Sequence, residues 1–167
     1  MISIIQQKYS RSSNHFSASH FLPGFSKCER LHGHNYVVKV VLDYRLSDSK
    51  DLIDFRQVNS IIHSIIQKLD HKILLPGDSP IIDIHSVMKN ANWLVRIKSK
   101  TYSFPQKDVC ILEKVNQTTT ENLAIYIHDK ISQKIGKLLS KHLKLQLKVS
   151  VAETVGNEAS YSHKIKD

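Results

Sequence analysis

The stretch Asn35 to Tyr44, N-Y-V-V-K-V-V-L-D-Y, constrains the fold more than any other part of the chain. It is a β-branched run that places Tyr36, Val38, Val40 and Leu42 on one face and Val37, Lys39, Val41 and Asp43 on the other, the two-residue period of a strand. Upstream, Ile2 to His20 alternates in places, and YSRSSNHFSASHF is expected to lie beside this strand as an antiparallel partner. From Asp54 the period changes. Phe55, Val58, Ile61, Ile62, Ile65, Ile66 and Leu69 recur at three- and four-residue steps behind Asp54 as N-cap, which predicts a helix of about four turns. That helix runs into LDHKILLPG, where Pro76 and Gly77 are expected to stop any regular element.

A second helix is predicted from TTTENLAIYIHDKISQKIGKLLSKH. Thr118 and Glu121 stand in capping-box spacing, and Ala124, Ile127, Ile131, Ile135, Leu138 and Leu139 form its apolar stripe. The chain closes with LKLQLKVSVAET, a strand whose Leu145, Leu147, Val149 and Val151 face the core while Gln146, Lys148 and Ser150 look outward; Glu153 falls in phase with the buried face. Between the helices, Trp93 to Phe104 reads as a hairpin and Asp108 to Val115 as a strand. Residues 78 to 92 carry no assignable pattern. With the hairpin set aside, the order strand, strand, helix, strand, helix, strand implies α+β: a four-stranded antiparallel sheet with two helices on one face.

Apolar residues are 41% of the 167 and charged residues 23%, a globular composition that excludes a disordered chain. No stretch approaches the roughly 18 apolar residues of a membrane span, and MISIIQQKYS has no basic n-region, so a cytoplasmic protein is expected. In that compartment Cys28 and Cys110 are expected to be free thiols. The formal charge of +9 suggests an anionic partner. Its Lys and Arg are scattered rather than blocked into an arm, which favours a small phosphorylated substrate over a nucleic acid.

The chemistry gathers around K-C-E-R-L-H-G-H at the mouth of the long strand. Residues two apart share a face, so His32 and His34 can present both imidazoles to one point. His20, ending the preceding extended segment, would complete three ligands, the number a catalytic zinc uses when a fourth position stays open. Cys28, four residues before His32, would be near such a metal, which would lower its pKa and make a thiolate base available. Cys110 in VCIL reads as a small buried hydrophobe. Glu29 reads as a solvated loop charge. Asp70 and His71 can form a pair in which the carboxylate fixes the imidazole and raises its basicity. If buried, Glu153 must have a partner or a ligand.

FSASHF, CERLHGHNYVVKV, LIDF, LDH, TTTENLA and VSVAET resemble, in order, the blocks of the 6-pyruvoyltetrahydropterin synthase and 6-carboxytetrahydropterin synthase family. The resemblance covers most of the chain except an extended insertion at about residues 75 to 107. It implies one tunnelling-fold domain over residues 1 to 167, assembling edge to edge into an oligomeric barrel, usually a hexamer, with active sites between subunits. It further implies His20, His32 and His34 as Zn²⁺ ligands, Cys28 as the thiol moving protons at the substrate side chain, and Asp70 and His71 as its partners. Thr119, Thr120 and Glu121 would border the pterin pocket, and Glu153 would grip the pterin ring. The implied substrate is 7,8-dihydroneopterin triphosphate.

The spacing C-x-x-x-H-G-H resembles the branch that makes 6-carboxytetrahydropterin on the route to 7-deazaguanine nucleosides, the queuosine and archaeosine type. The pyruvoyl branch, which eliminates triphosphate, usually has a longer interval. Glu29 also creates E-x-x-H-G-H, resembling a branch that cleaves the side chain to 6-hydroxymethyldihydropterin for folate-type cofactors, and Glu29 is therefore a further catalytic candidate. A zinc-containing RNA-binding module is the non-enzymatic alternative, although no aromatic-basic RNA motif supports it.

Overall fold

A computed structural model describes residues 5–9, 14–45, 54–87, 91–138 and 144–166. The long predicted strand is β3 (His32–Arg45), and it is the spine of the molecule. The upstream segment pairs with it antiparallel in two pieces along one edge: β1 (Ile5–Tyr9) runs beside residues 40–44 and β2 (His15–His20) beside residues 32–37. On the other edge lies β9 (Lys144–Thr154), followed by β10 (Asn157–Lys166). Tyr36, Val38, Val40 and Leu42 are at most 1% exposed, as their spacing requires.

The helices are α1 (Phe55–Ile66) and α2 (Thr120–Ile135). Both bury their stripes in the same core as β2, β3 and β9. Asp54 caps α1 by accepting from Arg56 N–H at 2.9 Å. The helix ends at Ile66 rather than Leu69, although Leu69 is still buried. After it the chain tightens into a turn ending at His71, φ +56°, where His71 N–H donates to Ser17 C=O. That turn reverses the chain to lie along β2. The cap of α2 is Thr119, accepting from Asn122 N–H, and not Thr118. Thr118 is fully buried and bound to His20 instead. Leu138 is 53% exposed, so the stripe ends at Ile135; Leu139 lies outside the described residues.

The four-stranded expectation is too small. The sheet has seven strands and is mixed, in the order β10-β9-β3-β2-β4-β8, with β1 also on β3. The strand expected at Asp108 to Val115 is β8 (Val109–Leu112), and the strands beyond the expected set are β10 and β4 (Lys72–Pro76), with β4 parallel to both β2 and β8. β4 lies in the segment expected to break; Pro76 ends the strand while Leu74 and Leu75 are completely buried. A continuous apolar run of this length suits a strand covered on both faces, and alternation gives no signal for it. β10 escaped notice because its sequence is largely polar, with Tyr161 and Ile165 packing only partly against the core. Ser150, expected outside, is 6% exposed, and its hydroxyl lies 2.7 Å from that of Ser160 on β10.

The insertion forms a separate three-stranded antiparallel sheet of β5 (Asp83–Val87), β6 (Asn92–Ile97) and β7 (Lys100–Pro105). The expected hairpin is β6–β7; β5 falls in the stretch without an assignable pattern. A second apolar cluster of Phe21, Leu75, Ile82, Val95 and Ile97 joins this sheet to the main one. Phe21 stacks on Tyr102 at a centroid distance of 5.6 Å. No helix among the described residues is long and apolar enough to cross a membrane.

Candidate metal centre and active site

β2 and β3 are registered so that His20 lies opposite His32, and His34 follows on the same face of β3. Gly33 between them permits the close approach, since a Cβ there would stand 3.1 Å from Ala18 C=O and 3.2 Å from Ser19 Oγ. The three imidazoles bring one ligand nitrogen each within 4.8 Å of one another, the one such grouping of histidine, cysteine and carboxylate side chains among the described residues.

Two of the rings are oriented by backbone carbonyls. His20 Nδ1 lies 2.9 Å from Thr118 C=O and 3.2 Å from its hydroxyl, and His32 Nδ1 lies 2.8 Å from Arg30 C=O. A carbonyl can only accept, so in each ring Nδ1 carries the hydrogen and Nε2 keeps the lone pair. This is the arrangement in which outer-shell partners fix a metal-ligating tautomer. Burial pushes the His20 pKa down to about 4, with His32 and His34 adding to the effect and the Thr118 carbonyl opposing it. Burial also lowers that of His34, against the pull of Glu153. Imidazole nitrogens facing one another suit a borderline-soft cation such as Zn²⁺, and three of them leave a position open. Tyr36 sits beneath, its hydroxyl 3.4 Å from His20 Nε2.

From the histidines the site continues to Glu153, whose Oε2 is 3.9 Å from His34 Nε2 and accepts from Thr120 Oγ1 at 3.0 Å. The carboxylate thus lies by the positive end of α2, where an anion is favoured. Its side chain is 25% exposed, so its free lone pairs can meet a ligand. Thr119 is the cap, and Glu121 is exposed on the first turn; of the TTTEN block, Thr120 alone is bonded to Glu153.

Cys28 and Glu29 occupy a short 3₁₀ turn, Ser26–Glu29, between β2 and β3. Cys28 is partly exposed and outside the histidine cluster; Leu22 N–H donates to its carbonyl. Glu29 is not simply solvated. Its Oε1 accepts from Lys98 Nζ and from Gly24 N–H, each at 2.8 Å, and these bonds hold its carboxyl below the usual range. Cys110 is partly buried against the main core, and burial raises its thiol pKa.

Asp70 and His71 do meet: His71 Nδ1 is 2.9 Å from Asp70 Oδ2. Ser17 N–H donates to Asp70 Oδ1 at 2.8 Å and holds that carboxyl below its ordinary range, His71 adding to the effect. Yet the pair is not part of the histidine cluster, and His71 is 82% exposed. It borders an open cleft of about 410 Å³ shared with Ser17, Ser19, Asn35 and His34. Strand alternation turns Ser17 and Ser19 away from the face that carries His20.

Thr118, Tyr36 and Lys98 belong to this site and escaped sequence reading. Thr118 and Glu121 have capping-box spacing, which pointed away from a ligand-orienting role, and Lys98 is distant in sequence. Tyr36 was recognisable only as a core residue.

The sequence model of the 6-pyruvoyl tetrahydropterin synthase family matches residues 9–164. A putative 6-carboxy-5,6,7,8-tetrahydropterin synthase of Methanocaldococcus jannaschii is 32% identical over 147 residues, 87% of this chain and 88% of that protein. The 6-carboxy-5,6,7,8-tetrahydropterin synthase of Bacillus subtilis is 37% identical over 75 residues, 41% of this chain and 49% of that protein. Among solved structures, 6-pyruvoyltetrahydropterin synthase of Plasmodium vivax superimposes with a TM-score of 0.83 at 25% identity, covering 96% of this chain and 98% of that one. The Plasmodium falciparum enzyme gives 0.81 at 27% identity with the same coverage.

Proposed function

The chain belongs to the 6-pyruvoyl tetrahydropterin synthase family and has its tunnelling fold, and on that premise we propose that it is a Zn²⁺-dependent 6-carboxytetrahydropterin synthase acting on 7,8-dihydroneopterin triphosphate. The observation that carries this reading is the histidine triad, with Nε2 of His20 and His32 left without a hydrogen by the bonds at Nδ1. The spacing of Cys28 to the histidines and the M. jannaschii and B. subtilis relatives favour the 6-carboxy product, and with it a place on the route to 7-deazaguanine nucleosides.

In this reading His20, His32 and His34 hold the metal. A bound Zn²⁺ would polarise the side-chain hydroxyls of the substrate and acidify the neighbouring protons. Glu153, steadied by Thr120, accepts hydrogen bonds from the amino and ring N–H groups of the pterin and sets its orientation. Cys28 takes and returns protons at the side chain as a thiolate. Asp70 and His71, outside the histidine cluster of their own chain, form a proton-relaying pair, which fits service to the site of an adjoining subunit. The two ends of the sheet, β8 and β10, are the edges on which a barrel of subunits would close.

The test is to incubate the zinc-loaded protein with 7,8-dihydroneopterin triphosphate and identify the products by chromatography and mass spectrometry. A 6-carboxy product supports the reading, and absence of any pterin turnover would overturn it.

A further inference from the structure

Cys28 and Glu29 are neighbours on one turn, and both are chemically able to accept a proton from a substrate side chain. The inserted sheet treats them differently. The two-residue tip of the β6–β7 hairpin, with Lys98 at φ +53°, reaches the 3₁₀ turn and places the Lys98 ammonium 2.8 Å from Glu29 Oε1. The same oxygen accepts from Gly24 N–H. The hairpin is fixed by the second apolar cluster, in which Phe21, the residue after the metal-cluster His20, packs with Val95 and Ile97 and stacks on Tyr102. The tip is therefore tied to the turn both through Phe21 and through the ion pair.

An ion pair between side chains 66% and 33% exposed contributes little to stability. Its consequence is chemical: a carboxylate that accepts from an ammonium and a backbone N–H is a poorer base and is turned toward the hairpin. Resting on the function proposed above, we infer that Lys98 is a specificity-determining positioning residue, which acts through Glu29 to withhold that carboxylate from the substrate and leave proton transfer to Cys28. A freed Glu29 would promote a competing cleavage. The proton of the second side-chain hydroxyl passes to the carboxylate, the bond between the two carbinol carbons breaks, and its electron pair goes to the ring-bearing carbon. A proton then returns to that carbon, giving the 6-hydroxymethyl pterin and a phosphorylated two-carbon aldehyde with no external oxidant or reductant.

The experiment compares product ratios from 7,8-dihydroneopterin triphosphate for wild type, Lys98→Ala, Lys98→Arg, Glu29→Gln and the Lys98→Ala/Glu29→Gln double variant, at matched zinc content. Lys98→Ala should raise the ratio of 6-hydroxymethyl to 6-carboxy product by ~10-fold or more, a conservative share of what a general base supplies. Lys98→Arg should restore the wild-type ratio, and Glu29→Gln should cancel the effect of Lys98→Ala. An unchanged ratio in Lys98→Ala, or a shifted ratio that persists in the double variant, overturns the role of Lys98 while leaving the proposed function standing. A wild-type protein with no pterin turnover overturns both.

Discussion

A histidine serves as a metal ligand only when its free nitrogen is unprotonated and aimed; here hydrogen bonds on the opposite side of the His20 and His32 rings fix tautomer and aim, while burial favours the neutral form of His20. The pairing of His20 with Thr118 C=O shows what sequence can and cannot supply. His-x-His at the mouth of a strand was readable from spacing, and the approach of His20 followed from antiparallel pairing. The outer partner was hidden, because residue 118 is 98 positions away. Gly33 offers a direct test of the geometry. The Cβ of Gly33→Ala would crowd Ala18 C=O and Ser19 Oγ, separating β2 from β3 where the ligands face each other. Zinc affinity should fall by ~10-fold, as for other disturbances of ligand orientation, measured by competition with a chromogenic chelator. Wild-type affinity in the variant would show that the approach is not limiting. Glu153→Gln keeps shape and the bond to Thr120 but loses the charge. Pterin binding should weaken by about 1.5–3 kcal/mol in calorimetry, and unchanged affinity would remove Glu153 from the pocket.

Elements were legible where one face differs from the other. β3, β9 and both helices alternate or repeat with a clear period, and that period selects much of their buried face, with Ser150 of β9 and His128 of α2 buried outside it. β4 lacks such contrast because it is covered on both faces, β10 because it is polar on both, and β5 is short and mostly exposed. The turn between α1 and β4 is held to β2 by the reciprocal bonds of Asp70 and His71 with Ser17, a clasp that no local pattern announces. Its pH dependence has a definite sign. The Asp70 carboxyl is held below its ordinary value, so the unfolded chain binds the proton more readily. The clasp is fully stabilising above the unfolded value of roughly 3.9 and is lost as pH falls through the lower folded one. Asp70→Asn should cost about 1 kcal/mol near neutral pH and flatten the acid limb of stability. A denaturation series from pH 7 to pH 3 measures it, and parallel curves for the two proteins would contradict the assignment.

At the scale of the whole molecule, the separation of Asp70 and His71 from the histidine cluster argues for sites completed between copies. If so, Cys28→Ala and His71→Ala, each inactive alone, should recover part of the activity when unfolded together and reassembled. No recovery in a mixture shown by light scattering to be oligomeric would place each complete site within one chain. If the charge of +9 serves to attract a triphosphate, KM should rise with salt while selective binding of RNA at physiological salt should be absent.

The central claim is that a zinc site in this chain works with Cys28 to form a 6-carboxy pterin. Its most direct measurement is the product profile from 7,8-dihydroneopterin triphosphate for zinc-loaded wild type, chelator-stripped wild type and zinc-loaded Cys28→Ala. The account predicts 6-carboxytetrahydropterin from the first, none from the second until Zn²⁺ is restored, and a loss of ~10²-fold or more from the third, the scale of a missing general base. Full carboxy-product formation by the stripped protein or by Cys28→Ala would contradict it.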